Sequence, residues 1–245
     1  MNHPFRKKWG QNFLQDPNII RNIVQLLDPK PDDIVLEIGS GKGALTFEIA
    51  QHVQTVHAIE IDPLLVNFLN KNAPGNVQVH KGDILDFDLA QFEPPLKVIG
   101  NLPYYITSPI LFKFLEWQRW SIMVFMAQRE VAQRITASPG NKIYGRLSVM
   151  AQALSIVELS INVPKTVFYP QPDVDSAVLK FKPGERKIDD FYFLSSLVKQ
   201  SFSQRRKTLR NNLKGVLSVE QLGILAGLRA EALTVDQFIQ LSHLK

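Results

Sequence analysis

Asn101-Leu102-Pro103-Tyr104 combines an amide, a carbonyl presented at a turn, a proline that fixes the turn and an aromatic ring. That set suits the holding of a flat base by its exocyclic amine. The Asn101 amide oxygen and the Leu102 carbonyl can accept the two amine hydrogens, and the Tyr104 ring can stack on the base. Orienting both hydrogens also orients the nitrogen lone pair. The competing reading is a strand that merely ends in an X-Pro turn, because proline drives the residue before it into an extended conformation.

Upstream features weigh against that bland reading. Glu37-Ile38-Gly39-Ser40-Gly41-Lys42-Gly43 follows an apolar run, and its glycines let the backbone pass close to a ligand. The spacing is G-x-G-x-G behind an acid, not the G-x-G-x-x-G of dinucleotide sites. Glu60 ends a second apolar run, where a carboxylate can accept both hydroxyls of a ribose. Asp83 closes a third, where it can accept an adenine amine; either acid could instead cap a helix. Gly loop, Glu60, Asp83 and Asn101 come in chain order at the same strand edge. Their joint placement points to S-adenosylmethionine as a methyl donor, with S-adenosylhomocysteine as product.

The elements that must position these residues are legible in the apolar patterning. Strands are expected at 34–38, 55–61, 77–80, 97–100 and 122–126, with helices at about 43–51, from Pro63, and at 109–117. Strands alternating with helices imply parallel βαβ units, an α/β fold with a Rossmann-like doubly wound sheet. Two later strands, 156–163 and 174–181, are joined by a Pro-rich loop and could add an antiparallel hairpin at its edge. A Pro, Gly and charge-rich stretch near 182–187 reads as a linker. The expected division is therefore a catalytic domain over 1–183, with an N-terminal segment 1–16 of its own, and a small all-α domain over 188–245.

Composition narrows the class of partner. At 45% hydrophobic and 21% charged, the 245-residue chain has the make-up of a globular protein and not of a disordered one. The 28 basic and 23 acidic residues give 28 − 23 = +5. More telling is the run from Lys199 to Lys214, which holds Arg205, Arg206, Lys207 and Arg210, no acid, and Asn211 and Asn212 among the cations. Such a run suits phosphate contacts, against the plainer reading of a solvated helix face. Cysteine is absent, which excludes disulfides and thiolate metal sites and fits a reducing compartment. No metal site is expected. Trp9-Gly10-Gln11-Asn12 follows the basic N-terminal residues where a signal peptide would be apolar, and no run is long enough to span a bilayer. A cytoplasmic protein with no membrane partner is expected.

Taken together, Gln11-Asn12-Phe13-Leu14, Glu37-Ile38-Gly39, Gly41, Asn101-Leu102-Pro103-Tyr104 and the stretch Phe168-Tyr169-Pro170-Gln171-Pro172-Asp173-Val174-Asp175-Ser176-Ala177-Val178 resemble the rRNA adenine dimethyltransferase family. Tyr144-Gly145-Arg146-Leu147-Ser148-Val149 and the segment Gln204 to Leu213 match its small-subunit branch, so the resemblance covers nearly the whole chain. It implies that Asn12 and Leu14 contact the cofactor, that Gly39 faces its methionine part, and that Asn101 lies between cofactor and substrate. It also implies that Tyr104 and Phe168 sandwich the target adenine, with Phe168 on a surface loop beside Pro170 and Pro172. The implied reaction is N6,N6-dimethylation of two adjacent adenosines near the 3′ end of small-subunit rRNA by a monomer that contacts the small ribosomal subunit and serves its biogenesis. The chain departs from the usual pattern at Ser40 and Lys42, where Pro and Leu are common, and at Trp9, where Phe is. Two rivals stay open: a large-subunit rRNA adenine methyltransferase, and a non-catalytic assembly or transcription factor of the same fold.

Overall fold

A computed structural model describes residues 11–244, and Trp9 lies outside them. The chain divides into two compact units. The first runs through Ala132 and adds Glu158–Lys182; the second comprises Gln133–Val157 and the chain from Pro183 onward.

The first unit is built on a sheet. After β1 (Phe13–Leu14) and α1 (Pro17–Leu26) come β2 (Ile34–Ile38), α2 (Ala44–Ile49), β3 (Thr55–Glu60), α3 (Pro63–Asn72), β4 (Val77–Lys81), β5 (Leu96–Asn101), α4 (Thr107–Trp117) and β6 (Trp120–Gln128). The helix starts follow ordinary capping chemistry: Asp16 accepts the main-chain N–H groups of Asn18 and Ile19, Asp62 accepts that of Leu64, and each is followed by a proline that needs no N–H partner. After α5 (Arg129–Ile135) and α6 (Arg146–Leu154), the chain adds β7 (Ser155–Val163), β8 (Phe168–Tyr169) and β9 (Ser176–Pro183).

The sheet order is β4-β3-β2-β5-β6-β9-β7. Pairs among β2 to β6 are parallel, whereas β9 runs antiparallel to β6. This is the doubly wound α/β sheet expected from the alternation of elements, with β9 and β7 adjacent at one edge. The order reverses between β2 and β5, and sheets of this kind bind ligands beyond the carboxyl ends of the strands at such a reversal. On one face of the sheet the buried side chains of Val35, Val56, Ile99 and Val124 form a core with Ile23 and Val24 of α1 and Leu45 and Ile49 of α2. Lys97 is a buried exception in β5, held by an ion pair to Asp33 at 2.6 Å and by a hydrogen bond to the Asp28 carbonyl.

A separate two-stranded sheet was not expected. β1 pairs antiparallel with β8, setting Phe13 opposite Tyr169 and Leu14 opposite Phe168. Two residues are too few for a periodic signal, and the partners lie far apart in the chain.

The second unit is helical: α5 ends in it, α6 lies within it, and α7 (Phe191–Ser201), α8 (Leu209–Asn212), α9 (Val219–Leu222) and α10 (Val235–Ser242) complete it. α6 packs on both α7 and α10, so segment 133–157 groups with the C-terminal helices, although composition alone leaves it with the sheet. Tyr144, Phe202 and Phe238 form an aromatic row, with ring centroids 6.1 and 5.8 Å apart.

Candidate active site

Ile38 pairs with Gly100, so the loop after β2 and the last residue of β5, Asn101, emerge side by side at the point of strand reversal. Gly100 is required there. A Cβ at that position would sit 2.8 Å from the Ile38 carbonyl oxygen. Gly39 turns the chain with φ of +70°, a conformation that costs little only for glycine. Beyond these strand ends lies a cavity of about 190 Å³, lined by segment 11–15, the Gly loop, Glu60, Asp83 and the Asn101–Ile106 turn.

Glu60 does not cap a helix, whereas Asp83 caps the turn that follows it. Glu60 is 5% exposed, and its two oxygens accept the main-chain N–H groups of Gly41 at 2.8 Å and Asp62 at 2.9 Å. The helix cap is Asp62. Burial pushes the Glu60 pKa up, against those two bonds. Each oxygen has a second lone pair, so capacity for ligand hydroxyls remains. Asp83 accepts from Leu85 N–H at 2.9 Å, and Lys113 braces that turn through the Leu85 and Phe87 carbonyls at 2.8 and 2.7 Å.

Glu37 is deeper, 2% exposed, and receives the Thr46 hydroxyl at 2.5 Å. Burial lifts its pKa to about 7. Lys42, one of the departures from the family pattern, places its ammonium 4.8 Å from the Phe13 ring centroid, which links the Gly loop to segment 11–15.

That segment is tied down at several points. Gln11 Nε2 donates to Asp62 Oδ2 at 3.0 Å, Asn101 Nδ2 donates to the Asn12 carbonyl at 3.0 Å, and Gln15 N–H donates to the Val167 carbonyl at 2.9 Å. The Leu102 N–H is held by the Met126 carbonyl at 3.0 Å. Pro103 receives Ile106 N–H and the Thr107 hydroxyl on its carbonyl, at 3.1 and 3.2 Å, which sets the turn into α4. Tyr104 is held by its hydroxyl, 2.7 Å from Ser176 Oγ, and burial raises its pKa above the usual tyrosine value.

Asn12, Leu14, Gly39, Gly41, Glu60, Asp83, Asn101, Leu102, Pro103 and Tyr104 thus all line one cavity. Phe168 does not. It is 4% exposed, sits in the core with Leu14 and Ile23, and is not among the cavity residues. The cause is the β1–β8 pairing: side chains alternate along a strand, so Phe168 turns inward opposite Leu14 while Tyr169 turns out at 54% exposure. The surface-loop expectation for Phe168 is corrected accordingly. Tyr105, 60% exposed on the cavity rim, and Ser176, behind Tyr104, are the residues that sequence reasoning passed over. Tyr105 adjoins the tetrad and was within reach of the sequence; Ser176 stands in the stretch that resembles the family, but its pairing with Tyr104, 72 positions away, carried no local signal.

The basic run is divided in role. Arg205 Nη2 donates to the carbonyls of Lys142 at 2.6 Å and Tyr144 at 3.3 Å and pairs with Glu231 at 3.4 Å. Asn212 is buried and bonds the Ser201 and Gln204 carbonyls at 2.6 and 3.1 Å, a structural duty. Arg206, Lys207 and Arg210 are exposed, and none has an ion pair among the described residues. The run is not one helix face, since α7 ends at Ser201 and α8 begins only at Leu209.

Comparison with known proteins agrees with this architecture. The profile of ribosomal RNA adenine dimethylases matches residues 2–245. Curated relatives include the ribosomal RNA small subunit methyltransferases A of Chromobacterium violaceum, 44% identical over 98% of this chain and 95% of that one, and of Hydrogenovibrio crunogenus, 45% identical over 99% and 97%. Among solved structures, a dimethyladenosine transferase from Plasmodium falciparum superposes with a TM-score of 0.83 at 27% identity, covering 94% and 95% of the two chains. The 23S rRNA methyltransferase ErmE superposes at 0.75, also at 27% identity, covering 95% and 98%. The chain belongs to the ribosomal RNA adenine dimethylase family.

Proposed function

We propose that the cavity beyond β2, β3, β4 and β5 binds S-adenosylmethionine and presents it to a flipped adenine held by Asn101, Leu102 and Tyr104. The chain is a methyltransferase acting on rRNA adenine at N6, to the dimethyl stage, and its relatives at 44–45% identity carry the name of the small-subunit enzyme. Two adjacent adenosines near the 3′ end of small-subunit rRNA are the assigned targets, with a role in subunit biogenesis. The protein acts as a cytoplasmic monomer; no helix of the described residues is long and apolar enough to cross a membrane.

The residues present fit the cofactor. A glycine-lined approach suits its methionine part, Glu60 suits its ribose hydroxyls and Asp83 its adenine amine, while Asn12 and Leu14 lie on the cavity wall formed by segment 11–15. When bound, S-adenosylmethionine supplies a methyl group already activated on a sulfonium. The protein's part is positioning.

The observation that carries this reading is the Asn101 amide. A carbonyl can only accept, so the Asn12 carbonyl takes the Nδ2 side and fixes the amide's orientation. Oδ1 is then the acceptor left for the substrate. Among the described residues no group donates to the Leu102 carbonyl, the second acceptor. Hydrogen bonds from the amine hydrogens to these two oxygens favour a pyramidal nitrogen whose lone pair points at the methyl. The alkylated nitrogen is acidic enough to release its proton to water, so no strong base is required. Reaching the amine requires the base to leave its stack, and Tyr104 offers a ring to receive it.

The test is methyl transfer to small and large ribosomal subunits that lack the modification, with the modified nucleotides mapped. Label confined to two adjacent adenosines of the small subunit is the expected result. Label on the large subunit favours the related large-subunit activity, and label on neither favours a non-catalytic assembly role.

A further inference from the structure

Lys113 sits on α4 one turn beyond Ile110, which is buried and lines the cavity. Residues three apart on a helix are neighbours on its surface, so Lys113 continues the Ile110 stripe towards the turn that follows β4. There its ammonium donates to the Leu85 carbonyl at 2.8 Å and to the Phe87 carbonyl at 2.7 Å. Among the described residues no main-chain N–H reaches either oxygen. Burial pushes the Lys113 pKa down against the pull of Asp86, Asp83, Asp88 and Glu116, so the ammonium gives up water to meet main-chain oxygens. A lysine held in this way is a strut.

The turn it holds carries Asp83. Asp83 Oδ1 accepts the Leu85 N–H at 2.9 Å, and the Asp83 carbonyl accepts the Asp86 N–H at 3.1 Å. Leu85 is therefore gripped on both sides, its N–H by Asp83 and its carbonyl by Lys113. Fixing Oδ1 on Leu85 also fixes where Oδ2 lies. Farther along, the Phe87 ring folds back over Gly82, where a Cβ would meet it at 2.9 Å. At its start α4 is tied to the tetrad, because the Thr107 hydroxyl donates to the Pro103 carbonyl at 3.2 Å. One helix thus holds both the Asp83 turn and the Asn101 turn.

We propose that Lys113 is a positioning residue for the cofactor's adenine: through Leu85 it sets the Asp83 carboxylate to accept the exocyclic amine, in a frame shared with the tetrad. The proposal rests on the reading of the cavity as the S-adenosylmethionine site. In that reading the ribose and methionine parts fall to Glu60 and the Gly loop, so Lys113 governs recognition of the amine alone.

Calorimetry on the full-length chain tests this with S-adenosylhomocysteine and its analogue carrying hydrogen in place of the exocyclic amine. Wild type should favour the amine-bearing ligand by about tenfold, the value of a hydrogen bond to a charged group. In Lys113→Met, which keeps the apolar stem, that preference should fall to about twofold or less, through weaker binding of S-adenosylhomocysteine only. Lys113→Arg, which keeps donors for both carbonyls, should retain the preference. If Lys113→Met does not fold, Lys113→Gln, too short to span both carbonyls, takes its place with the same expectation. The preference is a ratio within one protein, so a uniform loss of stability cancels from it. A preference unchanged in Lys113→Met, including equal weakening of both ligands, overturns the proposal and leaves the cofactor reading standing. Wild type that binds both ligands equally overturns the reading of the amine by Asp83, and the role of Lys113 with it. Wild type that binds neither ligand overturns the cofactor reading itself, together with the proposal built on it.

Discussion

Asn101 Nδ2 donates to the main-chain carbonyl of Asn12 across 89 positions of sequence. One hydrogen bond therefore couples the end of β5 to the segment that lines the cofactor cavity, and it decides which face of the amide meets the substrate. Segment 11–15 and the Asn101 turn act together. A change on either side should alter how the other presents its oxygen.

Ser176 offers a related test at Tyr104. Its hydroxyl, 2.7 Å from the phenol oxygen, is the hold on a ring that otherwise turns about two bonds. Ser176→Ala should lower the turnover of methyl transfer by about fivefold, the value of one hydrogen bond, while calorimetric affinity for S-adenosylmethionine stays within about twofold of wild type. Equal loss of turnover and cofactor affinity would place Ser176 in general stability and not in the positioning of Tyr104.

Glu37 predicts a pH signature. Burial holds its carboxyl protonated up to about pH 7, above the ordinary 4.5. Between those values the folded chain keeps a proton that the unfolded chain has released, so the wild type loses stability as pH rises through this window. Glu37→Gln keeps an acceptor for the Thr46 hydroxyl and has nothing to ionise. Relative to that variant, wild type should lose about 3 kcal/mol between pH 4.5 and 7 and nothing further above. Denaturant unfolding of both proteins across the window checks it. An offset independent of pH would contradict the assignment.

The basic loop separates into two kinds of cation. Arg206→Ala and Lys207→Ala should leave the melting temperature unchanged and reduce the salt slope of RNA binding by about 0.9 for each phosphate no longer neutralised. Arg205→Ala should also destabilise the fold by about 1–2 kcal/mol, because it abandons two carbonyl acceptors. Filter binding over a salt series, together with thermal melts, distinguishes them. An unchanged slope for Arg206 and Lys207 would return them to a solvated surface.

Much of this was legible in the residues because each strand of the parallel sheet announces itself by a short apolar run, and the chemistry follows at its carboxyl end. Gly39, Glu60, Asp83 and Asn101 could be placed together for that reason. What pairing at a distance decides was not legible. Phe168 looked like a loop residue among prolines, yet two residues of strand pairing with β1 turn it into the core. Asn212 looked like part of a phosphate-binding run but closes a helical corner from inside. Segment 133–157 has no compositional mark of the helical unit; only packing of α6 on α7 and α10 assigns it there. In each case the deciding partner lies well outside any local window.

The most direct test of the central claim is Asn101→Ala, assayed with labelled S-adenosylmethionine on small subunits lacking the modification, beside calorimetric cofactor binding. Loss of an oriented acceptor that acts on the reacting amine should cut turnover on the order of 100-fold, the scale seen when a preorganised polar group is removed. Cofactor affinity should fall far less, since Glu60, Asp83 and the Gly loop remain. Turnover close to wild type would contradict the account, as would a loss explained wholly by failure to bind the cofactor.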